Sequence, residues 1–242
     1  MRRSCTDKHL DKVTAISEEF LDYLGTLIHE DTGVLNEDLG SEVYKWALET
    51  ITAISLDTRL DCVGSAPSAA HMAMITAVQG VLTYSKKLDL GLRLWEMLPS
   101  KDFNIFMEHY QTFKRSATDL IKEATLEGED FSETESLVTQ LSKTGCSKDV
   151  TTAAVMELMF GGVDTTAHTV IFILYLLATN PRVQEKLHSE LENVTMDRVI
   201  DHPYLRAVIK EGMRLLPVAP ANIRCFCYNP QGNLISLIIL NF

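Results

Sequence analysis

The run from Lys148 to Thr179 limits the fold more than any other part of the sequence. It contains no proline, is apolar over most of its length, and follows Ser147, a residue type suited to cap a helix N-terminus. Pro181 then stands where the first turn of a following helix tolerates it. The run therefore predicts one helix of about 30 residues, roughly 45 Å long. Such a helix needs other helices to cover it, so the expected fold class is mainly α.

One local rule is broken inside this helix. Gly161 and Gly162 stand in its middle, each costing up to about 1 kcal/mol relative to alanine. Val163, Asp164, Thr165 and Thr166 follow at once. At about 100° per residue, Gly161, Gly162, Thr165 and Thr169 share a face, and the missing side chains let a flat group approach the backbone. The Thr165 hydroxyl can bond back to the Gly161 carbonyl, which loosens and bends the helix. Broken local rules tend to mark functional sites. A groove edged by a hydroxyl, a carbonyl and a carboxylate could hold a small polar molecule and relay protons to it. The alternative is a glycine pair that lets another helix cross closely, with Asp164 and the threonines merely solvated.

Composition agrees with a helical globule. Glycine and proline total 12 + 7 = 19 of 242 residues, about 8% against an average near 12%. The chain is long enough to bury a core without disulfide or metal staples. Basic minus acidic residues is 22 − 33 = −11, which argues against a nucleic-acid partner. Cys5, Cys62, Cys146, Cys225 and Cys227 are odd in number and widely spread, so they read as free thiols. The strongly apolar runs Val170–Ala178 and Leu234–Leu240 are short of the roughly 20 residues a membrane span needs, so no transmembrane segment is expected. The N-terminus lacks the pattern of a targeting segment.

Helical spacing also appears over the first 30 residues, over Leu39–Leu56, from His71 to Leu82, from Phe103 to about Glu127, and around Ser136–Leu141. Leu92–Leu98 is short and apolar, and Gly128–Glu135 reads as an acidic loop. A further helix opens at Pro203 and ends near Leu216-Pro217. No two strands form a hairpin pattern, although Leu234–Leu240 is strand-like in composition.

The helix after Pro203 carries Glu211 and Arg214, spaced to pair on one face. Val208, Ile209, Met213, Leu215 and Leu216 crowd around them, which suggests burial, and a buried pair would be costly to break. Pro217-Val218-Ala219-Pro220 then leaves the helix in extended conformation, and Arg224 follows Pro220 by four residues.

Taken together, Gly161-Gly162-Val163-Asp164-Thr165, the link Asn180-Pro181-Arg182-Val183-Gln184 and Glu211-x-x-Arg214 with its proline-rich sequel resemble a cytochrome P-450, a haem-thiolate monooxygenase. Val43–Glu49, Leu56–Leu60 and Phe160–Thr169 look like the mitochondrial type. The resemblance covers residues 1–224 and implies a partial cytochrome P-450 domain there, running from the central helices through the Glu-x-x-Arg helix, with 225–242 as a divergent apolar tail.

The resemblance implies haem b as cofactor and hydroxylation of a lipophilic substrate, with dioxygen and with electrons from NADPH through a ferredoxin. The implied location is the matrix side of the mitochondrial inner membrane. Thr165 would help deliver protons to dioxygen, with Asp164 as relay acid and Thr166 beside them. Gly161 and Gly162 would leave room for oxygen, and Glu211 and Arg214 would hold the scaffold. Arg224 would contact a haem propionate. Met156, Met159, Phe160, Val163, Val218 and Ala219 would line the substrate pocket or pack as core. Arg206 and Lys210 would dock the ferredoxin or stand as solvated charges.

The pattern also departs from the family. The axial cysteine loop downstream of Glu-x-x-Arg is not matched: Cys225 and Cys227 come too soon and lack its glycines, so no metal ligand is assigned. Nothing matches the family's N-terminal part. Gly212 stands where the family has a better helix former or threonine. These departures favour a truncated chain, and leave open a non-catalytic helical protein without stable haem binding.

Overall fold

The computed structural model describes residues 3–64, 67–90, 100–127, 136–219, 222–228 and 234–241. The described residues are mainly helical: α1 (Arg3–Leu27), α2 (Leu39–Leu56), α3 (Ala69–Leu90), α4 (Lys101–Glu127), α5 (Leu137–Lys143), α6 (Lys148–Thr179), α7 (Pro181–Leu191), α8 (Met196–Val199) and α9 (Pro203–Leu215). Two strands follow, β1 (Asn222–Tyr228) and β2 (Leu234–Asn241). The chain divides into two compact units, Met1–Ala167 and His168–Phe242.

The helix boundaries follow their local chemistry. Asp38 caps α2, its carboxylate accepting from the Gly40 and Ser41 amides, and Asp57 ends that helix in the left-handed region. Ser147 caps α6 as the sequence predicts, with Oγ 3.4 Å from the Val150 amide. Helices α7 and α9 both begin at a proline. Helix α3 runs past the predicted Leu82 to Leu90. The apolar stretch Leu92–Leu98 and the acidic loop Gly128–Glu135 lie outside the described residues.

In the first unit Ile16, Val43, Leu48, Met74, Val78, Phe113, Val155, Met159 and Val163 form the core. Helices α3 and α4 meet at Gly80, where a Cβ would lie 2.4 Å from the His109 ring. That ring also stacks on Tyr84 at 5.9 Å between centroids. Only a residue without a side chain lets the imidazole lie against the α3 backbone.

Helix α2 buries charge as well as apolar surface. The enclosed carboxylate of Glu49 accepts from Arg59 Nε at 2.6 Å and from the amides of Leu60 and Cys62 at 3.1 and 2.9 Å. Arg59 also pairs with Glu19. Glu42 and Lys45 form a second buried pair at 2.7 Å. A buried charge is tolerable only when its lone pairs are occupied in this way. Glu49 therefore fastens the loop after α2 back onto the helix.

In the second unit α9 lies against the C-terminal turns of α6. A Cβ on Gly212 would come within 2.9 Å of Ile173 Cγ1. This gives the glycine its reason: close helix approach outweighs the helix propensity that alanine or threonine would add. A groove of about 380 Å³ beside this crossing is lined by Ile173, Leu176, Val183, Tyr204, Val208 and Leu215, among others.

Two expectations change. The segments Asn222–Tyr228 and Leu234–Asn241 pair antiparallel, from Asn222 opposite Asn241 to Tyr228 opposite Leu234, with an irregularity at Cys227/Tyr228. The apolar tail is thus the second strand of a hairpin. Helix α6 is also long and apolar enough, by length and composition, to cross a membrane. Continuous apolar runs missed this because Thr, His and Gly interrupt them, while Asp164 is the single charged residue from Gly161 to Thr179. Val155, Met159, Val163 and Ala167 form the buried stripe of α6 in the first unit, while only 17% of the helix's most apolar stretch is buried.

Candidate functional site

The middle of α6 presents two sides to the first unit. Val155, Met159, Val163 and Ala167 recur every four residues and are fully enclosed. The opposite side carries Gly161 and Thr165, both exposed. The Thr165 hydroxyl donates to the Gly161 carbonyl at 2.6 Å, the back-bond that four-residue spacing predicts.

The two glycines divide their work. A Cβ on Gly161 would meet nothing within 4 Å, so the backbone there is open. A Cβ on Gly162 would lie 2.7 Å from Ile51 Cγ1 and 2.8 Å from Cδ1. Gly162 is therefore where α2 crosses α6 closely. The close helix crossing expected of a glycine pair is thus made at Gly162 alone, while Gly161 leaves its backbone uncovered.

Asp164 is 8% exposed, and its Oδ1 accepts from the buried phenol of Tyr44 on α2. Gln79 of α3 also bonds the Tyr44 hydroxyl. Burial first, and then the hydrogen bond and charge of Asp164, push the phenol well above its ordinary range. The acid is held inside the unit rather than solvated. Thr166 is half-buried beside it.

The expected pocket residues separate. Met159 and Val163 are core side chains with no exposed surface. Met156 and Phe160 are half-buried, and the Phe160 ring packs on Phe113 at 5.8 Å and 56°. Val218 is half-buried and Ala219 exposed, just after α9.

On α9, Glu211 accepts from Arg214 Nε and Nη2 at 2.8 and 2.7 Å, a two-point pair. The pair is not buried as its apolar neighbours in sequence suggested: the side chains are 55% and 67% exposed. The helix turns Gly212 toward Ile173 instead, which carries positions 211 and 214 outward. The Arg214 hydrogen bond holds the Glu211 carboxyl below its usual range. Arg206 is exposed and paired with Asp201 at 3.3 Å, and Lys210 is exposed. The Arg224 side chain lies outside the described residues, although its backbone is in β1, opposite Ile239.

Among the described residues the free thiols are Cys62 and Cys146. Burial, reinforced by the charges of Glu49 and Asp61, pushes the Cys62 thiol up to about 12. It is a neutral, enclosed group with no route to thiolate chemistry near neutral pH. Cys146 is exposed, two residues from Thr144. The side chains of Cys5, Cys225 and Cys227 lie outside the described residues.

Two parts of this arrangement had no signal in the sequence. Tyr44 and Asp164 are 120 positions apart, so only the fold joins them. The buried Glu49 gave no motif, although it lies in one of the segments that carried the resemblance.

Comparison with known proteins agrees with the helical frame. The family model described as Cytochrome P450 matches residues 2–227. "Cytochrome P450 12b1, mitochondrial" of Drosophila acanthoptera is 31% identical over 234 residues, covering 93% of this chain and 44% of that relative. The mitochondrial 1,25-dihydroxyvitamin D(3) 24-hydroxylase of Mus musculus is 29% identical over 230 residues, covering 89% of this chain and 43% of that relative. The chain thus spans less than half the length of these relatives. A crystal structure of a cytochrome P450 superposes with a TM-score of 0.69 at 16% identity, covering 99% of this chain and 57% of that one. From the glycine-broken helix α6 to the Glu-x-x-Arg helix α9, the chain belongs to the cytochrome P450 family.

Proposed function

We propose that the protein acts as a haem-dependent monooxygenase that hydroxylates a lipophilic substrate, taking electrons from NADPH through a ferredoxin on the matrix side of the mitochondrial inner membrane. The observation that carries this reading is the opening of α6 at Gly161, beside the Thr165 hydroxyl and the buried Asp164. The relative named as a vitamin D hydroxylase supports both the reaction and an apolar substrate.

The open backbone at Gly161 fits the approach of a flat cofactor, whereas the buried, neutral Cys62 thiol does not fit as its thiolate ligand. When bound, haem b would supply the redox-active iron that reduces dioxygen. The chain's own residues would do the rest. Gly161 leaves space, and Thr165 can rotate its hydroxyl from the Gly161 carbonyl toward an incoming group. Asp164 supplies the next proton, with Thr166 beside it. Met156 and Phe160 would give apolar walls beside Gly161, with Met159 and Val163 as packing behind. Glu211 and Arg214 would brace the scaffold and Arg224 would take a propionate. Lys210, with Arg206 partly neutralised by Asp201, would meet an acidic ferredoxin. The test is Asp164→Asn in the haem-loaded protein: the reading predicts reduced product formation at unchanged substrate binding, and unchanged turnover would contradict it.

A second reading, favoured by the state of Cys62, is that residues 1–242 on their own are non-catalytic and hold no stable haem. Haem addition, reduction and carbon monoxide test it. Absence of a haem spectrum supports the second reading, and a thiolate-type Soret band would contradict it.

A further inference from the structure

A three-helix polar contact stands behind the α6 site. Tyr44 on α2 donates to Asp164 Oδ1 on α6, and Gln79 on α3 bonds the same hydroxyl. Tyr44 and Asp164 are buried, and Gln79 is half-buried. A buried carboxylate needs donors, and a donor on a packed ring restricts its orientation more than water would. The ring cannot drift, because Val43, Ala47 and Leu48 of the same helix are core residues. With its own proton held firmly, Tyr44 stays a donor through the neutral range.

We propose that Tyr44 is the positioning residue of Asp164: through its hydroxyl, α2 and α3 fix the orientation of the carboxylate and keep it as an acceptor one position from Thr165. The proposal rests on the reading of Asp164 as relay acid. It assigns α2 a part in the site that its distance along the chain conceals. Gly162 serves the same end, since its close crossing against Ile51 brings α2 near enough to α6 for the phenol to reach.

The test needs no haem. With [13Cγ]aspartate in the full chain, the Asp164 resonance is identified by its loss in Asp164→Asn. Tyr44→Phe keeps the ring and removes the hydroxyl, so this resonance should shift, while Tyr23→Phe should leave it in place. Should Tyr44→Phe fail to fold, the reverse measurement serves: with [13Cζ]tyrosine, the Tyr44 resonance should shift in Asp164→Asn. An Asp164 resonance unmoved by Tyr44→Phe, or a Tyr44 resonance unmoved by Asp164→Asn, overturns the proposal. Coupled resonances in a protein whose haem-loaded Asp164→Asn form turns over normally would overturn the relay reading alone, leaving the hold of Tyr44 on the carboxylate standing.

Discussion

Replacing each of the adjacent glycines of α6 by alanine should change stability in opposite directions. At Gly161 the new methyl meets nothing within 4 Å, so only helix propensity counts. Gly161→Ala should stabilise the chain by about 1 kcal/mol. At Gly162 the same propensity gain is opposed by a methyl 2.7 and 2.8 Å from two carbons of Ile51. Overpacking of this kind costs about 1–3 kcal/mol. Gly162→Ala should therefore be neutral to destabilising by about 2 kcal/mol, leaving the two variants about 1–3 kcal/mol apart. Ile51→Ala removes both crowding atoms, so in that background Gly162→Ala should recover a coupling of about 0.5–3 kcal/mol. Urea unfolding followed by far-UV circular dichroism gives the midpoints, with unchanged slopes confirming that stability alone has moved. Equal stabilisation by both alanines would refute the α2–α6 crossing, and destabilisation by Gly161→Ala would refute the open face. The expected gain at Gly161 also bears on function, since stability is forgone where a ligand must come close.

Four further outcomes follow from which groups are buried and which are exposed. Glu49→Ala should destabilise the first unit by about 3–5 kcal/mol, because Arg59 and the amides of Leu60 and Cys62 lose their acceptor; thermal unfolding reads this. Gly212→Ala should be neutral to destabilising by about 2 kcal/mol through its contact with Ile173, net of the propensity gain, whereas Glu211→Ala should shift the unfolding midpoint only slightly, because its pair with Arg214 is solvent-exposed. Cys146 should react with a thiol reagent in the folded chain and Cys62 only after unfolding. The raised Cys62 value has a signed consequence. The unfolded thiol releases its proton near 9.0 and the folded one at about 12. Its contribution to stability is therefore complete below pH 9 and is lost as pH rises from 9 toward 12, which a Cys62→Ala comparison isolates.

Much of this fold was legible because helices write themselves locally. The apolar spacing over Leu39–Leu56, the Ser147 cap and the two prolines that open α7 and α9 all act within a few residues of themselves. The Thr165–Gly161 bond and the Glu211–Arg214 pair were legible for the same reason: four- and three-residue spacings fix geometry without reference to the rest of the chain. The orientation of each helix was not. Helix α6 is apolar nearly all round, so only the arrival of Ile51 decides that Gly162 packs while Gly161 opens. On α9, apolar neighbours of Glu211 and Arg214 suggested a buried pair, but the crossing at Gly212 turned the other side inward. Tyr44 and Asp164 carry no mutual signal across 120 residues. The hairpin was missed because β1 mixes polar and apolar residues without the clean alternation that marks a half-buried strand.

The central claim is that the Gly161–Thr165 opening of α6 works on dioxygen, and product formed per NADPH consumed tests it most directly. The haem-loaded protein would be compared with Thr165→Ala and Thr165→Ser, using ferredoxin and its reductase as electron source. The account predicts that alanine lowers product formation on the order of a hundredfold, as loss of a proton-transferring group should, with the electrons recovered as hydrogen peroxide, while serine retains most of the yield. Equal product per NADPH in all three proteins would contradict it.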